Sequence, residues 1–587
     1  MSLDLNLSRL AARMLMPGRA VPGAMTLPPN AYQETVDGLV ANKVPLLSLN
    51  HARDIDPTFF VSEPFSTAHA AEQARWSGFR ETYVAVHQVL AQSGIKDVLI
   101  KSIGLAPSLP YKSDNMDTMV RQDQGPAARQ TLLSLGYIEL RNVEEPHKFL
   151  FRKFHAGRSV SAIHLHEFVG WGTGFMRDEG VLERARPSQD DPEVWVPAAE
   201  DALLITMAHA FYEDKAIKLG DLWKVMLLLR GEPLDWDSIY EQAHARGWLE
   251  GLHTCMLLWA AAEEALYGEH SFPERELSRA RKEAPAYCLK AVKARTERID
   301  RFPIGVSFRF SKRHYFGKVW RDPALSLGQR IEDTWKHSWA GVARRLPFQA
   351  QRPALIALCG VDGSGKTEQA RLLAHVLDTC ALHHRTVWSR GASSPLADAV
   401  IRLCKPLVAR GSTMDTSSDS ADAKLERKSV WLQRPLLRSG WKALVAVDLV
   451  WRYAMRIVPQ LVMGRIVIAD RYVYDALVEL SVLTDSGALA EGCYARILRF
   501  KCPRPSLAAY LRVSPEIAAA RKPDEPAEYI ERQVLMFDRM SAAWAMETYD
   551  ADDDLYGLGD ALVLRALSDY YRGWGRIKGL SPKRRGR

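Results

Sequence analysis

A glycine-rich turn between a strand pattern and a helix pattern constrains this sequence more than any other feature. Residues 353–359 form a short apolar run, and residues 368–380 carry the apolar spacing of a helix. A short apolar run bounded by Pro and Gly is typical of a strand buried on both faces in a parallel sheet. Between the two lies GVDGSGKT at 360–367, which fits the pattern G-x-x-x-x-G-K-[ST] in the order strand, loop, helix. The pattern predicts a parallel α/β fold built around a phosphate-binding loop.

The residue types of this loop suit an anion. Glycines adopt backbone angles that other residues resist, so consecutive N–H groups can point inward, and the following helix N-terminus adds partial positive charge. We expect Lys366 to reach the β- and γ-phosphates of ATP and the Thr367 hydroxyl to ligate Mg²⁺. The expected ATP-binding residues are Gly360, Gly363, Ser364, Gly365, Lys366 and Thr367.

Two further strand patterns end in polar residues. The segment RTVWS at 385–389 is followed by Arg390, and GRIVIAD at 464–470 ends in Asp470 and is followed by Arg471. Ligands of open α/β sheets bind beyond the carboxyl ends of the strands. We therefore expect Arg390 to meet an anionic acceptor and Asp470 to hold Mg²⁺, together with Thr367. The planar fork of Arg471 suits a second phosphate.

These segments resemble the thymidylate kinase family of P-loop kinases over residues 352–587. The resemblance rests on GVDGSGKT, on DRYVYD at 470–475 and on LRVSPEIAAARKPDEP at 511–526. It implies that Asp362, Arg390 and Arg471 contact the acceptor nucleotide, and that Arg521 lies on a lid that closes over the phosphates. Lys366, Arg471 and Arg521 are then the expected catalytic residues.

Two segments depart from that family. The sequence around Arg390 reads SRGA, where the family has a T-R-E-P type of segment. In that family, an Arg on the helix before the DRY strand contributes to recognition of the base. The position of that Arg falls near Leu449 in this sequence, with Arg452 close by.

The first half of the chain carries a second resemblance, over roughly residues 30–300. The segments IKS at 100–102, NMDTMV at 115–120, GY at 136–137 and IHLH at 163–166 resemble the uncharacterised nucleotidyltransferase family of the polymerase-β type. Two-metal nucleotidyl transfer needs about three carboxylates, and a D-x-D pair on a strand faces one side. Here Asn115, Asp117 and His164 occupy those positions. Because Asn is a weak Mg²⁺ ligand and His prefers softer metals, we expect a degenerate, catalytically silent site, with an altered but active site as the alternative.

The predicted fold class is α/β. We expect a C-terminal P-loop parallel sheet with helices on both faces, preceded by an α+β nucleotidyltransferase-like domain with a helical companion. The predicted domains are a helical cap at 1–75, a nucleotidyltransferase-like core at 76–185, a helical companion at 186–300, a basic connector at 301–351 and the kinase-like domain at 352–587.

Composition limits the classes of function. Apolar residues make up 47% and charged residues 25% of the chain, which excludes a mostly disordered protein. No apolar stretch reaches the ~18–20 residues of a membrane-spanning helix. The seven cysteines are scattered without a C-x-x-C pair, which indicates a cytoplasmic protein with free thiols. The net charge of +8 suits nucleotide partners but is low for a dedicated nucleic-acid-binding protein.

The leading hypothesis is an ATP- and Mg²⁺-dependent kinase of a nucleoside monophosphate, with thymidine monophosphate as the choice that the resemblance implies. Four alternatives stay open. They are a kinase of another phosphorylated small molecule, a nucleotide-binding regulatory protein with both domains silent, a bifunctional kinase and nucleotidyltransferase, and nucleic-acid binding through the basic connector. The sequence leaves the oligomeric state open, with a dimer among the alternatives.

Overall fold

The structure is a computed structural model. It describes residues 2–15, 27–49, 51–104, 115–140, 148–170, 174–176, 178–297, 299–343, 352–388, 435–485, 492–552 and 554–574. The chain forms two compact units. The first unit comprises residues 1–152 with 161–347, and the second comprises residues 153–160 with 348–587.

The first unit contains a mixed five-stranded sheet and many helices. The strands are β1 Leu3–Asp4, β2 Asp97–Leu99, β3 Met116–Val120, β4 Ile138–Leu140, β5 Lys148–His155, β6 Arg158–His166, β7 Arg186–Pro187, β8 Trp195–Val196, β9 Ala216–Ile217, β10 Arg301–Phe302 and β11 Ile304–Gly305. The helices are α1 Leu5–Leu15, α2 Tyr32–Ala41, α3 Ala52–Ile55, α4 Pro57–Phe60, α5 Glu63–Gln92, α6 Gly125–Ser134, α7 Asp178–Glu183, α8 Ala199–Ala208, α9 Leu219–Arg230, α10 Trp236–Ala245, α11 Leu249–Tyr267, α12 Glu274–Glu283, α13 Ala286–Thr296, α14 Phe308–Arg321 and α15 Leu327–Ala343.

The sheet of this unit has the order β2-β3-β6-β5-β4. Strands β3 and β6 run parallel, with Asp117 opposite His164, and β2 pairs antiparallel with β3. All five residues of β3 are buried. The alternation of 160–171 correctly predicts a strand there, because β6 covers most of that segment.

Most helices of the unit share one large apolar core, whereas α6 and the second half of α5 pack with the sheet in a smaller core. Helix α11 is buried nearly all round, with Trp259 and Leu266 fully enclosed, which explains why its apolar run has no polar face. The predicted boundary at residue 75 falls inside the continuous helix α5, whose 30 residues run through it.

The segment predicted as a solvated basic connector is different in the structure. Residues 308–321 form α14, and Tyr315 and Val319 of this helix belong to the apolar core of the first unit. Lys318 is fully buried, and its Nζ lies 3.4 Å from Asp322 Oδ2. The Lys and Arg side chains of the segment flank this apolar helical face, so the charge of the segment hides the face in the sequence.

The second unit is a doubly wound α/β fold. Its strands are β12 Ala354–Cys359, β13 His384–Trp388, β14 Ile466–Asp470, β15 Leu507–Arg512 and β16 Glu547–Asp550. Its helices are α16 Lys366–Thr379, α17 Pro435–Arg456, α18 Val458–Val462, α19 Val473–Leu483, α20 Cys493–Lys501, α21 Pro515–Arg521, α22 Ala527–Ala543 and α23 Leu555–Trp574.

The sheet of the second unit is parallel throughout, in the order β13-β14-β12-β15-β16. Strand β14 is buried at every position and β12 at all but its first, as the apolar runs predict. After β12 the chain continues to β13 and β14 on one side of β12, and after β14 it crosses to β15 on the other side of β12. The carboxyl ends of β12 and β14 therefore border the crevice where α/β folds bind ligands. Among the described helices, none is both long and apolar enough to cross a bilayer.

Two glycines that flank α11 provide a test of the packing of the first unit. Gly247 and Gly268 both have positive φ, of 69° and 77°. A Cβ at Gly247 would meet the backbone of residues 321 and 322 at 2.6–2.9 Å, whereas a Cβ at Gly268 would meet nothing within 4 Å. We expect Gly268→Ala to lower the free energy of unfolding by about 1–2 kcal/mol, the cost of left-handed backbone alone. Gly247→Ala should cost a further ~1–3 kcal/mol because α14 must shift.

Urea denaturation of the full-length variants measures this difference. Equal midpoints for the two variants would show that α14 does not pack against the turn before α11.

Candidate functional site

The loop after β12 has the conformation that its glycines predict. Gly360 and Gly363 have φ angles of 150° and 89°, and Gly365, with φ of 82°, precedes the first residue of α16. A Cβ at Gly360 would lie 2.7 Å from the Leu511 carbonyl oxygen, and one at Gly363 would lie 2.9 Å from that of Ala518. Both positions therefore require glycine for conformation and for space.

The Lys366 side chain folds back over this loop. Its Nζ donates to the carbonyl oxygens of Gly360 at 2.8 Å and Val361 at 2.7 Å, and it lies 3.8 Å from Asp362 Oδ1. Burial lowers the pKa of Lys366, and the nearby carboxylates of Asp475 and Asp470 oppose that shift. An ammonium group held in this way can exchange loop carbonyls for phosphate oxygens.

The two predicted Mg²⁺ ligands lie next to each other. Thr367 is the second residue of α16, and its Oγ1 donates to Asp470 Oδ2 at 2.7 Å. The pairing of β12 with β14 places Asp470 opposite Leu358, at the end of the sheet from which the loop springs. A hydroxyl and a carboxylate are hard oxygen donors, so the pair fits Mg²⁺.

Arg471 and Asp362 form an ion pair between the loop and the end of β14. Arg471 has a φ of 73°, which is uncommon for a residue with a side chain, and its N–H donates to the Leu358 carbonyl oxygen at 3.1 Å. The left-handed conformation turns the guanidinium from β14 toward the glycine-rich loop. Such backbone strain is typical of functional sites. The structure thus brings together two of the three residues predicted to bind the acceptor.

Arg521 also reaches the loop. Its guanidinium donates to the carbonyl oxygens of Gly363 at 3.3 Å, Ala551 at 3.1 Å and Asp552 at 2.7 Å. It stands at the end of α21, so a cation is present beside the phosphate loop. Arg390, the third predicted acceptor-binding residue, lies outside the described residues.

Asp475 belongs to the DRYVYD segment, but no sequence pattern assigned it a role. Its carboxylate accepts a hydrogen bond from the Gly360 N–H at 3.3 Å and another from the Tyr472 N–H at 2.8 Å. Burial raises the pKa of Asp475, and the charges of Lys366 and Arg471 oppose the shift. Asp475 thus joins the start of the phosphate loop to the turn that carries Arg471.

Helix α17 contains the position where the resemblance places a base-recognising Arg. Leu449 occupies that position, has no polar group and is fully buried. Arg452 is also buried, and its Nη2 atom lies 2.5 Å from Asp448 Oδ2. Nearby, the rings of Tyr453 and Tyr472 stack with centroids 4.7 Å apart.

The first unit gathers the residues of the predicted degenerate site. Asn115 precedes β3 directly, and Asp117 and His164 face one another across the parallel pair β3 and β6. The Asn115 amide contacts His164 Nδ1, which lies 3.4 Å from Asp117 Oδ1. The period-two reasoning therefore placed these three residues together correctly.

Two more residues complete this cluster. His166 Nε2 lies 2.9 Å from Asp117 Oδ1, and Lys101 Nζ lies 3.1 Å from the same oxygen. Burial alone would raise the pKa of Asp117, but the Lys101 ammonium and the two imidazoles hold it well below its usual range. Burial lowers the pKa of His166 to about 4, against the attraction of Asp117. His166 follows His164 by two residues, so strand alternation could have identified it.

This donor set differs from the three carboxylates of two-metal nucleotidyl transfer. Within the part of the chain that the structure describes, the cluster holds one carboxylate, Asp117, and Lys101 already neutralises it. The residues do not fit a pair of Mg²⁺ ions, which prefer oxygen ligands.

Comparison with known proteins agrees with both resemblances. A family described as uncharacterised nucleotidyltransferases matches residues 45–262, so the first unit contains a nucleotidyltransferase-family domain. A thymidylate kinase of Symbiobacterium thermophilum is 28% identical over 186 residues, which are 30% of this chain and 71% of that protein. A probable thymidylate kinase of Saccharolobus solfataricus is 29% identical over 171 residues, 29% of this chain and 64% of the relative.

A solved thymidylate kinase structure, from Ehrlichia chaffeensis, covers 37% of this chain and 99% of its own, at 16% identity and a TM-score of 0.24. The sequence relatives support a nucleotide kinase-like function for the C-terminal region. The predicted resemblance to a nucleotidyltransferase family and to thymidylate kinases within one chain is confirmed.

Asp475 provides a test of this site. Asp475→Ala leaves the buried N–H groups of Gly360 and Tyr472 without their acceptor, at a cost of about 1–3 kcal/mol each. We expect the affinity for MgATP to fall by at least about tenfold, since the loop loses its attachment. Asp475→Asn keeps one acceptor oxygen and should lose less. Isothermal titration calorimetry measures both, and wild-type affinity in Asp475→Ala would contradict the proposed role.

Proposed function

We propose that the second unit transfers the γ-phosphoryl group of ATP to a nucleoside monophosphate, with thymidine monophosphate as the acceptor. The observation that carries the proposal is the ion pair between Asp362 and Arg471 beside Lys366. It sets a second cationic group next to the phosphate loop, as transfer between two phosphates requires. The similarity to thymidylate kinases supports the choice of acceptor.

On the donor side, the loop amides and Lys366 bind the ATP phosphates. Lys366 now contacts the loop carbonyls of Gly360 and Val361, which phosphate oxygens would replace. Thr367 and Asp470 are the residues that would hold Mg²⁺. When bound, Mg²⁺ neutralises charge on the β- and γ-phosphates.

On the acceptor side, Arg471 binds the monophosphate and orients its oxygen toward the γ-phosphorus. The acceptor oxygen attacks, the bond from the γ-phosphorus to the bridging oxygen breaks, and ADP leaves. The acceptor phosphate is anionic near neutral pH, so the step needs no strong general base. Arg521, beside Gly363, neutralises charge that develops in the transition state.

Lys366→Met provides the first test. The variant keeps most of the length of the side chain, which is one atom shorter, and removes its charge. We expect kcat/KM for ATP to fall by at least about 100-fold, the effect of losing one preorganised donor in a dry site. Lys293→Met is the control, because Lys293 is 77% exposed and lies in the first unit. Coupled measurement of ADP release with thymidine monophosphate gives the rates, and equal activity of Lys366→Met and wild type would refute the assignment.

Substitutions of Asp362 and Arg471 provide a second test, in which the KM for the acceptor is compared with the KM for ATP. Asp362→Asn removes the charge that orients Arg471, so we expect KM for the acceptor to rise about tenfold or more while KM for ATP changes less. Arg471→Lys should act in the same direction, because an ammonium cannot reproduce the planar fork. If both variants changed KM for ATP alone, the two residues would belong to the donor site.

A panel of monophosphates identifies the acceptor. Phosphoryl transfer with thymidine monophosphate should exceed that with uridine, cytidine, adenosine and guanosine monophosphates. A clear preference for another acceptor would keep the kinase and replace its substrate. A preference for another acceptor would have a structural explanation. Arg452, the arginine close to the expected base-recognising position, is held in an ion pair with Asp448.

A further inference from the structure

Three side chains of the first unit converge with the spacing of ligands on a single metal ion. His166 Nε2 and His164 Nδ1 lie 2.9 and 3.4 Å from Asp117 Oδ1, and one donor atom of each residue lies within 4.8 Å of the others. Donors bound to tetrahedral Zn²⁺ at 2.0–2.2 Å are about 3.3–3.5 Å apart. We propose that Asp117, His164 and His166 bind one divalent transition-metal ion of the zinc type.

The backbone explains why these donors meet. His164 and His166 are two positions apart in β6, so both project from the same face of the sheet. Parallel pairing puts Asp117 of β3 directly opposite His164. The three donors therefore come from two adjacent rigid strands, which hold them without a loop.

The state of Asp117 gives independent support. This carboxylate is completely buried, and among the described residues its Oδ2 atom has no hydrogen-bond partner. A buried carboxylate oxygen without a partner is costly, and a metal ion is one of the few groups that can satisfy it. The Oδ2 atom of Asp117 therefore has lone pairs available for a metal ion.

The donor set selects the metal. Imidazole suits zinc, copper, iron and nickel, whereas Mg²⁺ prefers carboxylate, carbonyl and water oxygen. Three protein ligands leave a fourth position open, which is the pattern of zinc sites that bind a reactive water molecule. Substitution of carboxylates by Asn115 and His164 would thus have changed the metal preference of the site.

Lys101 competes with this metal ion. Its Nζ lies 3.1 Å from Asp117 Oδ1, the oxygen that both imidazoles face. The ammonium group must move for a cation to bind, and 20% of the Lys101 side chain is exposed, so a path to solvent exists. A purely structural cluster would need Lys101 as the partner of Asp117, whereas a metal site gains affinity when Lys101 is removed.

A second group of donors in the same unit is the rival location. Cys288 Sγ lies 3.5 Å from His314 Nε2 and 3.6 Å from Glu250 Oε1. Arg321 and Tyr287 already bind the Glu250 carboxylate, so its charge is compensated. A metal ion there would have a thiolate ligand, which makes the two locations spectroscopically distinct.

The test is metal binding by the full-length, chelator-treated protein. We expect one equivalent of Zn²⁺ to bind in equilibrium dialysis. Co²⁺ should give visible d–d absorption without a thiolate charge-transfer band. His164→Asn should weaken Zn²⁺ binding at least about 100-fold, and Asp117→Asn, which preserves volume, should do the same. His51→Asn is the control, since 46% of the His51 side chain is exposed and it lies outside the cluster.

Lys101→Met decides between a metal site and a structural cluster. We expect Zn²⁺ affinity to rise by at least about tenfold, because the competing ammonium is gone. No saturable binding by the wild type, unchanged binding by His164→Asn, unchanged or weaker binding by Lys101→Met, or a thiolate band with Co²⁺ would each overturn the proposal. None of these readouts depends on the kinase activity proposed for the second unit.

Discussion

The parallel pairing of β12 with β14 is the constraint on which the candidate kinase site depends. It sets Asp470 opposite Leu358, and the next residue, Arg471, donates its N–H to the Leu358 carbonyl oxygen. The glycine-rich loop begins two residues after Leu358. One register therefore fixes the distance between the hydroxyl of Thr367, the carboxylate of Asp470 and the guanidinium of Arg471. A shift by one residue would turn each side chain of β14 to the opposite face of the sheet.

The two sites differ in the charged groups that surround their central carboxylate. In the second unit, Asp362 lies between two cations, Lys366 and Arg471, which suits a site that must accept phosphate groups. In the first unit, Asp117 is likewise surrounded by cationic or neutral nitrogen donors, but it is deeply buried and comes from a strand. The kinase-like site carries cations that suit anionic groups, whereas the nucleotidyltransferase-like site places two imidazoles beside the carboxylate of Asp117.

The sequence predicts the second unit well because its signals are local. Short apolar runs and glycines specify β12, β14 and the loop without reference to distant residues. Asp475 escaped assignment because its role depends on a contact with Gly360, 115 positions away. The same limit applies to α14, where Lys318 is buried and lies over the ring of Phe175, which is distant in the sequence. In the first unit, strand alternation placed Asp117 with His164 and could have added His166. The position of Lys101 beside Asp117 could not be predicted in this way, because it depends on the pairing of β2 with β3.

The most direct test of the central claim is the binding of a bisubstrate analogue, adenosine and thymidine joined by five phosphates. If the loop and Arg471 form one site for both phosphates, the analogue should bind the full-length chain in the presence of Mg²⁺ at least about 100-fold more tightly than ATP alone, because linkage makes the second contact intramolecular. Calorimetry measures both affinities. An analogue that binds no better than ATP would show that the acceptor does not lie beside the phosphate loop.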